Sequence, residues 1–149
     1  MGQTTILVVD DDESVQVLMR VLLTRKGYGV EVASDGERAL AELRSSHYDV
    51  ILLDLMMPCM NGFEVVRELK ALSPEVLRRT IIFTAVSDST LRTFDSDAVF
   101  RVIRKPFDVK TLLGTVEECL AQKLPPVEDR RKSGRPAPPR RGSEVETTG

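Results

Sequence analysis

At 149 residues, 42% hydrophobic and 30% charged with a formal net charge of −2, the chain has enough apolar content for one packed domain and too much for a wholly disordered one. No apolar run approaches the roughly 20 residues that span a bilayer, no basic region precedes the first apolar stretch as in a secretory signal, and Cys59 and Cys119 make neither a disulfide framework nor a zinc spacing. Aromatics make up 5% with no Trp, too few for a base-stacking platform, so the composition reads as a soluble, cytoplasmic domain.

Along the chain, short β-rich runs alternate with helical periodicity. Ile6-Leu7-Val8-Val9 is continuously apolar, as in a strand buried on both faces. From Asp12 to Lys26, apolar residues at Val15, Leu18, Met19, Leu22 and Leu23 form a helical stripe that Gly27 ends. A short strand over Val30–Ala33 leads to a helix from Gly36 to Arg44, capped by Ser34 or Asp35. Val50–Leu53 is again apolar, and a helix from Gly62 to Leu72 stops before Pro74. Thr80–Phe83 and Val99–Ile103 predict the fourth and fifth strands, and Asp108 caps a last helix from Val109 to Gln122. Between Ala85 and Ala98, the Ser, Thr and Asp content makes a poor helix.

After Lys123 the composition changes. Residues 124–149 hold five of the eight prolines and six basic against four acidic side chains, net +2, while the preceding 123 residues carry 15 against 19, net −4. The sequence therefore predicts one domain over residues 1–123 and a disordered Pro/Arg-rich tail over 124–149. A net-negative domain argues against nucleic acid as the main partner.

Five strands separated by helices imply right-handed βαβ units, hence an α/β fold with a parallel, doubly wound sheet and helices on both faces. In such sheets the site lies at the carboxyl ends of the strands. The first strand is followed by Asp10-Asp11-Asp12, the third by Asp54, the fourth by Thr84 and the fifth by Lys105-Pro106. Aspartate at a strand end is often a helix cap, and Asp12 is read as one. Carboxylates gathered together repel unless a cation sits among them, and hard oxygen ligands suit Mg²⁺, whose remaining positions take water and phosphate oxygens. A Thr hydroxyl and a Lys ammonium beside them are what a phosphoryl group needs for its other oxygens.

Four segments in order carry a resemblance: Val8-Val9-Asp10-Asp11, then Asp54-Leu55-Met56-Met57-Pro58-Cys59-Met60-Asn61-Gly62, then Thr84-Ala85, then Lys105-Pro106-Phe107. From residue 5 to about 122 the chain resembles the response-regulator receiver domains of bacterial two-component signalling, of the stand-alone, chemotaxis-regulator-like kind. The resemblance implies the flavodoxin-like five-stranded order 2-1-3-4-5. It also implies that Asp54 accepts a phosphoryl group from a phosphohistidine of a sensor histidine kinase or a histidine phosphotransfer protein. Asp11, Asp54 and the backbone carbonyl of Met56 would ligate Mg²⁺ directly and Asp10 through water, while Thr84 and Lys105 would hold phosphoryl oxygens. Such a domain assists its own phosphorylation and dephosphorylation without turning over a separate substrate. Pro58 and Gly62 shape the acceptor loop.

The family docks its phosphodonor on the first helix and the loop after the fifth strand, where Ser14, Val15, Leu18, Pro106 and Phe107 stand here. Its signal leaves through the Thr and an aromatic residue three places before the Lys. That place holds Val102, stiff at χ1 and without a ring; Phe100, two residues earlier, is expected on the same side of the strand. The sequence thus predicts an absent or altered aromatic switch built on Thr84, Val102 and Phe100, with output through residues 85–98 or the docking face. His47 and Cys59 are read as a surface residue and a loop filler, and Cys119 as packing.

Two other readings compete. Asp10-x-Asp12-x-Ser14 superficially resembles the nucleophile motif of haloacid-dehalogenase-type phosphatases, but leaves the Met57-Pro58 loop, Thr84 and Lys105 unexplained. Alternatively, the chain is the regulatory half of a response regulator or hybrid kinase whose output module lies elsewhere. No helix-turn-helix follows Lys123, so no direct DNA binding is expected, and the downstream protein target is unknown.

Overall fold

Strand residues that are apolar on both sides must be covered twice, and that requirement sets the architecture. The structure, a computed structural model, describes residues 3–122. Its strands are β1 (Thr5–Val9), β2 (Gly29–Ala33), β3 (Val50–Leu53), β4 (Thr80–Thr84) and β5 (Arg101–Arg104). Every pairing is parallel and the order is β2-β1-β3-β4-β5, as the resemblance implied. The helices are α1 (Glu13–Arg25), α2 (Gly36–Ser45), α3 (Gly62–Leu72), the single turns α4 (Pro74–Leu77) and α5 (Asp88–Leu91), and α6 (Val109–Ala121).

The period-2 alternation of the strands divides the core in two. Ile6, Val8, Leu52, Ile81 and Phe83 pack with Met19 and Leu23 of α1 and with Leu112 and Val116 of α6. Leu7, Val9, Ile51, Leu53 and Ile82 pack on the other face with Leu40 of α2 and with Val65 and Leu69 of α3. Each fully buried side chain of this size contributes about 1.5–3 kcal/mol, so the strands are fixed from both sides and their ends become rigid mounts.

Side-chain caps set where the helices begin. Asp12 accepts from Ser14 N–H, Asp35 from Arg38 N–H and Asp108 from Thr111 N–H, the caps the sequence indicated. Asn61 and Glu64 close a reciprocal capping box at the start of α3. Gly27, at φ +92°, takes the left-handed conformation that ends α1.

α3 ends at Leu72, before Pro74, as expected; Pro74 itself opens the separate turn α4, because proline is well placed in a first turn where its missing N–H leaves nothing unpaired. Two expectations need correction. The fifth strand starts at Arg101 rather than Val99, since a 3₁₀ turn over Ser96–Ala98 precedes it and the ladder begins at Ile81↔Arg101. Phe100 and Val102 do not share a side: Phe100 packs in the α1/α6 layer and Val102 in the α2/α3 layer. The strand alternation invoked for that pair does not yet operate at Phe100, which stands outside the strand. The weak helicity expected between Ala85 and Ala98 is met by the single turn α5 and the 3₁₀ turn. The end of the domain at Lys123 and the tail fall outside the described residues, among which no helix is long and apolar enough to cross a membrane.

Candidate functional site

Sheet hydrogen bonds carry the strand geometry one residue past the strands and so place the polar side chains. Asp10 N–H donates to the Ala33 carbonyl at 3.1 Å, Asp54 N–H to Val9 at 3.0 Å, and Lys105 N–H to Thr84 at 2.8 Å. The outcome is one cluster at the carboxyl edge. Carboxylate oxygens of Asp10, Asp11 and Asp54 lie within 4.8 Å of one another; Asp10 and Asp54 are buried and Asp11 is exposed. Lys105 Nζ donates to Asp10 Oδ2 at 2.9 Å and to Asp54 Oδ2 at 3.4 Å.

The other oxygens of the two buried carboxylates accept backbone donors. Asp12 N–H reaches Asp10 Oδ1 at 2.8 Å, and Met56 N–H reaches Asp54 Oδ1 at 3.1 Å. Burial pushes the Asp54 carboxyl above the usual carboxylate range; the Met56 amide and the Lys105 charge oppose that rise, and the Asp10 charge adds to it. Burial also works against the Lys105 ammonium, but its hydrogen bond to Asp10 and the charges of Asp54 and Asp10 outweigh it and hold its pKa above the ordinary lysine value. Lys105 Nζ further lies 4.8 Å from the centre of the buried Phe83 ring, which Phe107 meets edge-on at 6.3 Å.

Thr84, fully buried at the end of β4, accepts from Val86 N–H at 3.3 Å, which leaves its hydroxyl proton to donate. Gly62 brings the acceptor loop against the strand: a Cβ there would stand 2.4 Å from the Asp54 carbonyl oxygen and 2.6 Å from Leu55 Cα. Beside the cluster opens a groove of about 690 Å³, lined among others by Asp11, Met56, Pro58, Phe63, Val86 and Ser87.

Three carboxylates facing one ammonium carry more negative charge than it can balance, and their hard oxygens suit a small divalent cation. Asp12 does not join them. It is exposed and its Oδ1 caps α1 through Ser14 N–H at 2.8 Å, which deprives a phosphatase reading of its second carboxylate. Of the docking candidates, Val15 and Phe107 are half-buried against the α1/α6 layer, while Ser14, Leu18 and Pro106 are exposed. Cys59 is exposed with φ 64°, and Cys119 is buried in α6, its thiol pushed up to about 11 by burial. His47 is exposed beside Asp49 at 3.2 Å.

Two features escaped the sequence reading. The Asn61–Glu64 box was legible as Asn-x-x-Glu before an apolar run. Gln16, whose Nε2 donates to the Asp10 carbonyl at 2.6 Å, gave no such signal, because its partner is a backbone group.

The fold is thus a doubly wound parallel α/β domain of order 2-1-3-4-5 that gathers three carboxylates, a threonine and a lysine at the carboxyl edge of its sheet. The chain belongs to the response regulator receiver domain family, whose model matches residues 6–117. It is 34% identical over 118 residues to the response regulator ArlR of Staphylococcus aureus, an alignment covering 78% of this chain and 52% of that protein. The chain thus spans about half the length of the curated relatives it matches. The crystal structure of the response regulator TrrA of Thermotoga maritima in complex with Mg²⁺-BeF is 32% identical, with a TM-score of 0.71 and coverage of 79% of this chain and 100% of that one. The receiver domain of a sensor histidine kinase from Pseudomonas aeruginosa, with a magnesium ion coordinated in its active-site cleft, is 26% identical, with a TM-score of 0.73 and coverage of 81% and 100%.

Proposed function

We propose that this receiver domain takes a phosphoryl group onto Asp54 from a phosphohistidine of a sensor kinase or phosphotransfer protein, with Mg²⁺ held by Asp10, Asp11, Asp54 and the Met56 carbonyl. The observation that carries the reading is the joint placement of three carboxylates within 4.8 Å of one another and the Lys105 ammonium on Asp10 and Asp54. Bound there, Mg²⁺ would neutralise charge on the carboxylates and the phosphoryl oxygens. The residues do the rest. Asp54 Oδ forms the bond to phosphorus as the P–N bond of the donor breaks, and the imidazole leaves with its electron pair. Phosphoryl transfer needs placement and charge neutralisation more than covalent machinery. Lys105 faces one phosphoryl oxygen with its charge and Thr84 another with its hydroxyl proton. The domain contributes to its own phosphorylation and works as a signalling element rather than as an enzyme with its own substrate.

Signal output then follows from partner binding in the phosphorylated form or from passing the phosphoryl group onward, with residues 1–123 as the receiver domain and 124–149 as a tail. Relatives such as ArlR, about twice as long as the matched region, support the alternative that this is the regulatory half of a larger regulator. In either case the test of the site is the same. Acetyl phosphate should label Asp54 in a Mg²⁺-dependent manner, and mass spectrometry of Asp54→Asn should show no label on a folded domain. Labelling of that variant at comparable yield overturns the assignment. Proteins retained by the beryllofluoride-loaded domain and not by the free one would identify the output.

A further inference from the structure

The peptide that joins Asp10 to Asp11 is held by a side chain the phosphoryl chemistry does not use. Gln16, half-buried near the start of α1, donates Nε2–H to the Asp10 carbonyl oxygen at 2.6 Å, and the same nitrogen lies 3.4 Å from the Ser34 hydroxyl just beyond β2. Asp10 follows the last ladder pair of β1, Val9↔Ala33. Its N–H still finds the Ala33 carbonyl, but its own carbonyl lies past the ladder and takes its donor from a side chain.

A peptide unit is planar, so the Asp10 carbonyl and the nitrogen and Cα of Asp11 move as one plate. Fixing the oxygen fixes where the Asp11 Cα stands, the point from which its side chain leaves the backbone. Asp10 has no need of this support, because Asp12 N–H and Lys105 Nζ already hold its carboxylate. Asp11 differs. It is exposed, yet its carboxylate stands within 4.8 Å of two buried carboxylates that repel it. A group kept where its neighbours push it away must be held through its backbone.

We infer that Gln16 is a positioning residue for the carboxylate cluster: its amide locks the Asp10–Asp11 peptide so that Asp11 offers an oxygen to a divalent cation shared with Asp10 and Asp54. The inference rests on reading the cluster as a Mg²⁺ site. Hydrogen-bond partners standing behind metal ligands govern affinity by orienting them, typically by tenfold or more.

The test is a double-mutant cycle read by Mg²⁺ titration calorimetry on the unphosphorylated full chain, with urea midpoints in EDTA as the fold control. Gln16→Met keeps length and shape but removes the donor, and should weaken Mg²⁺ binding about tenfold while the metal-free midpoint moves little. Asp11→Asn should weaken binding at least as much. Adding Gln16→Met to Asp11→Asn should then cost nothing further, because the glutamine acts through that carboxylate. Where Gln16→Met does not fold, Gln16→Asn, which keeps an amide one methylene too short, takes its place. Unchanged affinity in the single variant, or losses that simply add in the double variant, overturns the role of Gln16 and leaves the metal site standing. A wild-type chain that binds no Mg²⁺ overturns the site and this inference with it.

Discussion

The two halves of the site are held in different ways. On the β1/β3 side, Asp10 and Asp54 are buried and each accepts a directed backbone N–H, and the Asp54 loop lies flat against the strand at Gly62. On the β4/β5 side, Thr84 is equally buried, but the segment that follows it is tied by exposed charges: Arg104 to Asp88, and Lys70 to Asp95 at 3.0 Å. An edge contact between Phe63 and Phe94, ring centres 6.0 Å apart, adds to those ties. Buried, hydrogen-bonded groups keep one geometry, whereas exposed ion pairs contribute roughly 0–1 kcal/mol each and let a segment open locally. The acidic half is thus the more firmly held, and the segment after β4 is the one whose ties can open locally.

The strongest way to break the firmly held half is at Gly62. Gly62→Ala sets a methyl group against backbone atoms that cannot yield, and should cost about 2–3 kcal/mol in urea unfolding. Gly114→Ala, in α6 with nothing within 4 Å of the new Cβ, serves as the control and should be neutral or stabilising. Next comes the cation shared by the halves. Lys105→Met should slow Mg²⁺-dependent labelling of Asp54 by about tenfold, roughly 1.4 kcal/mol, because a charge facing the transferred group is lost.

A smaller effect sharpens the electrostatics. A carboxyl with a raised pKa binds its proton more tightly in the folded than in the unfolded protein, so ionising Asp54 costs stability as pH rises through its folded pKa. Metal-free Asp54→Asn should therefore resist urea better than wild type at neutral pH. The gap should close as pH falls below that folded pKa toward the ordinary aspartate value, and a constant gap across that range would refute the burial account. The smallest effect belongs to the other half. Arg104→Ala should change global stability by under about 0.5 kcal/mol, yet raise amide hydrogen exchange within residues 85–98. Protection there equal to that of β4 would erase the distinction between the halves.

The acidic half was the legible one. Strands β1 and β3, free of charge and ending in Asp10-Asp11 and Asp54, announce both the sheet and its edge, since the same alternation that buries Leu7 and Val8 delivers the next polar residue to the strand end. Caps were legible for a similar reason: Asp12, Asp35 and Asp108 act within three residues of themselves. What the sequence hid depends on distant packing. The start of β5 hinges on where Ile81 meets Arg101 across the sheet, and counting Phe100 into that strand put it on the same side as Val102, whereas it packs in the opposite layer. Gln16 was passed over because its target is a backbone carbonyl, which leaves no mark in side-chain pattern. The pairing of Arg104 with Asp88 spans 16 residues and follows from the short turn at α5, which propensity alone does not place.

The aromatic floor beneath Lys105 has a consequence for the proposed esterification of Asp54. A carboxylate that takes on a phosphoryl group changes its charge and shape, and a lysine steered by carboxylates alone would drift with it. Here the ammonium rests 4.8 Å from the centre of the Phe83 ring, and Phe107 braces that ring from the side. The ring is fully buried and Asp10 is held by Asp12 N–H, so neither contact depends on Asp54. Lys105 is therefore moored rather than tethered: two of its three contacts are independent of Asp54, so a phosphoryl group placed there would meet an ammonium already anchored at the sheet edge.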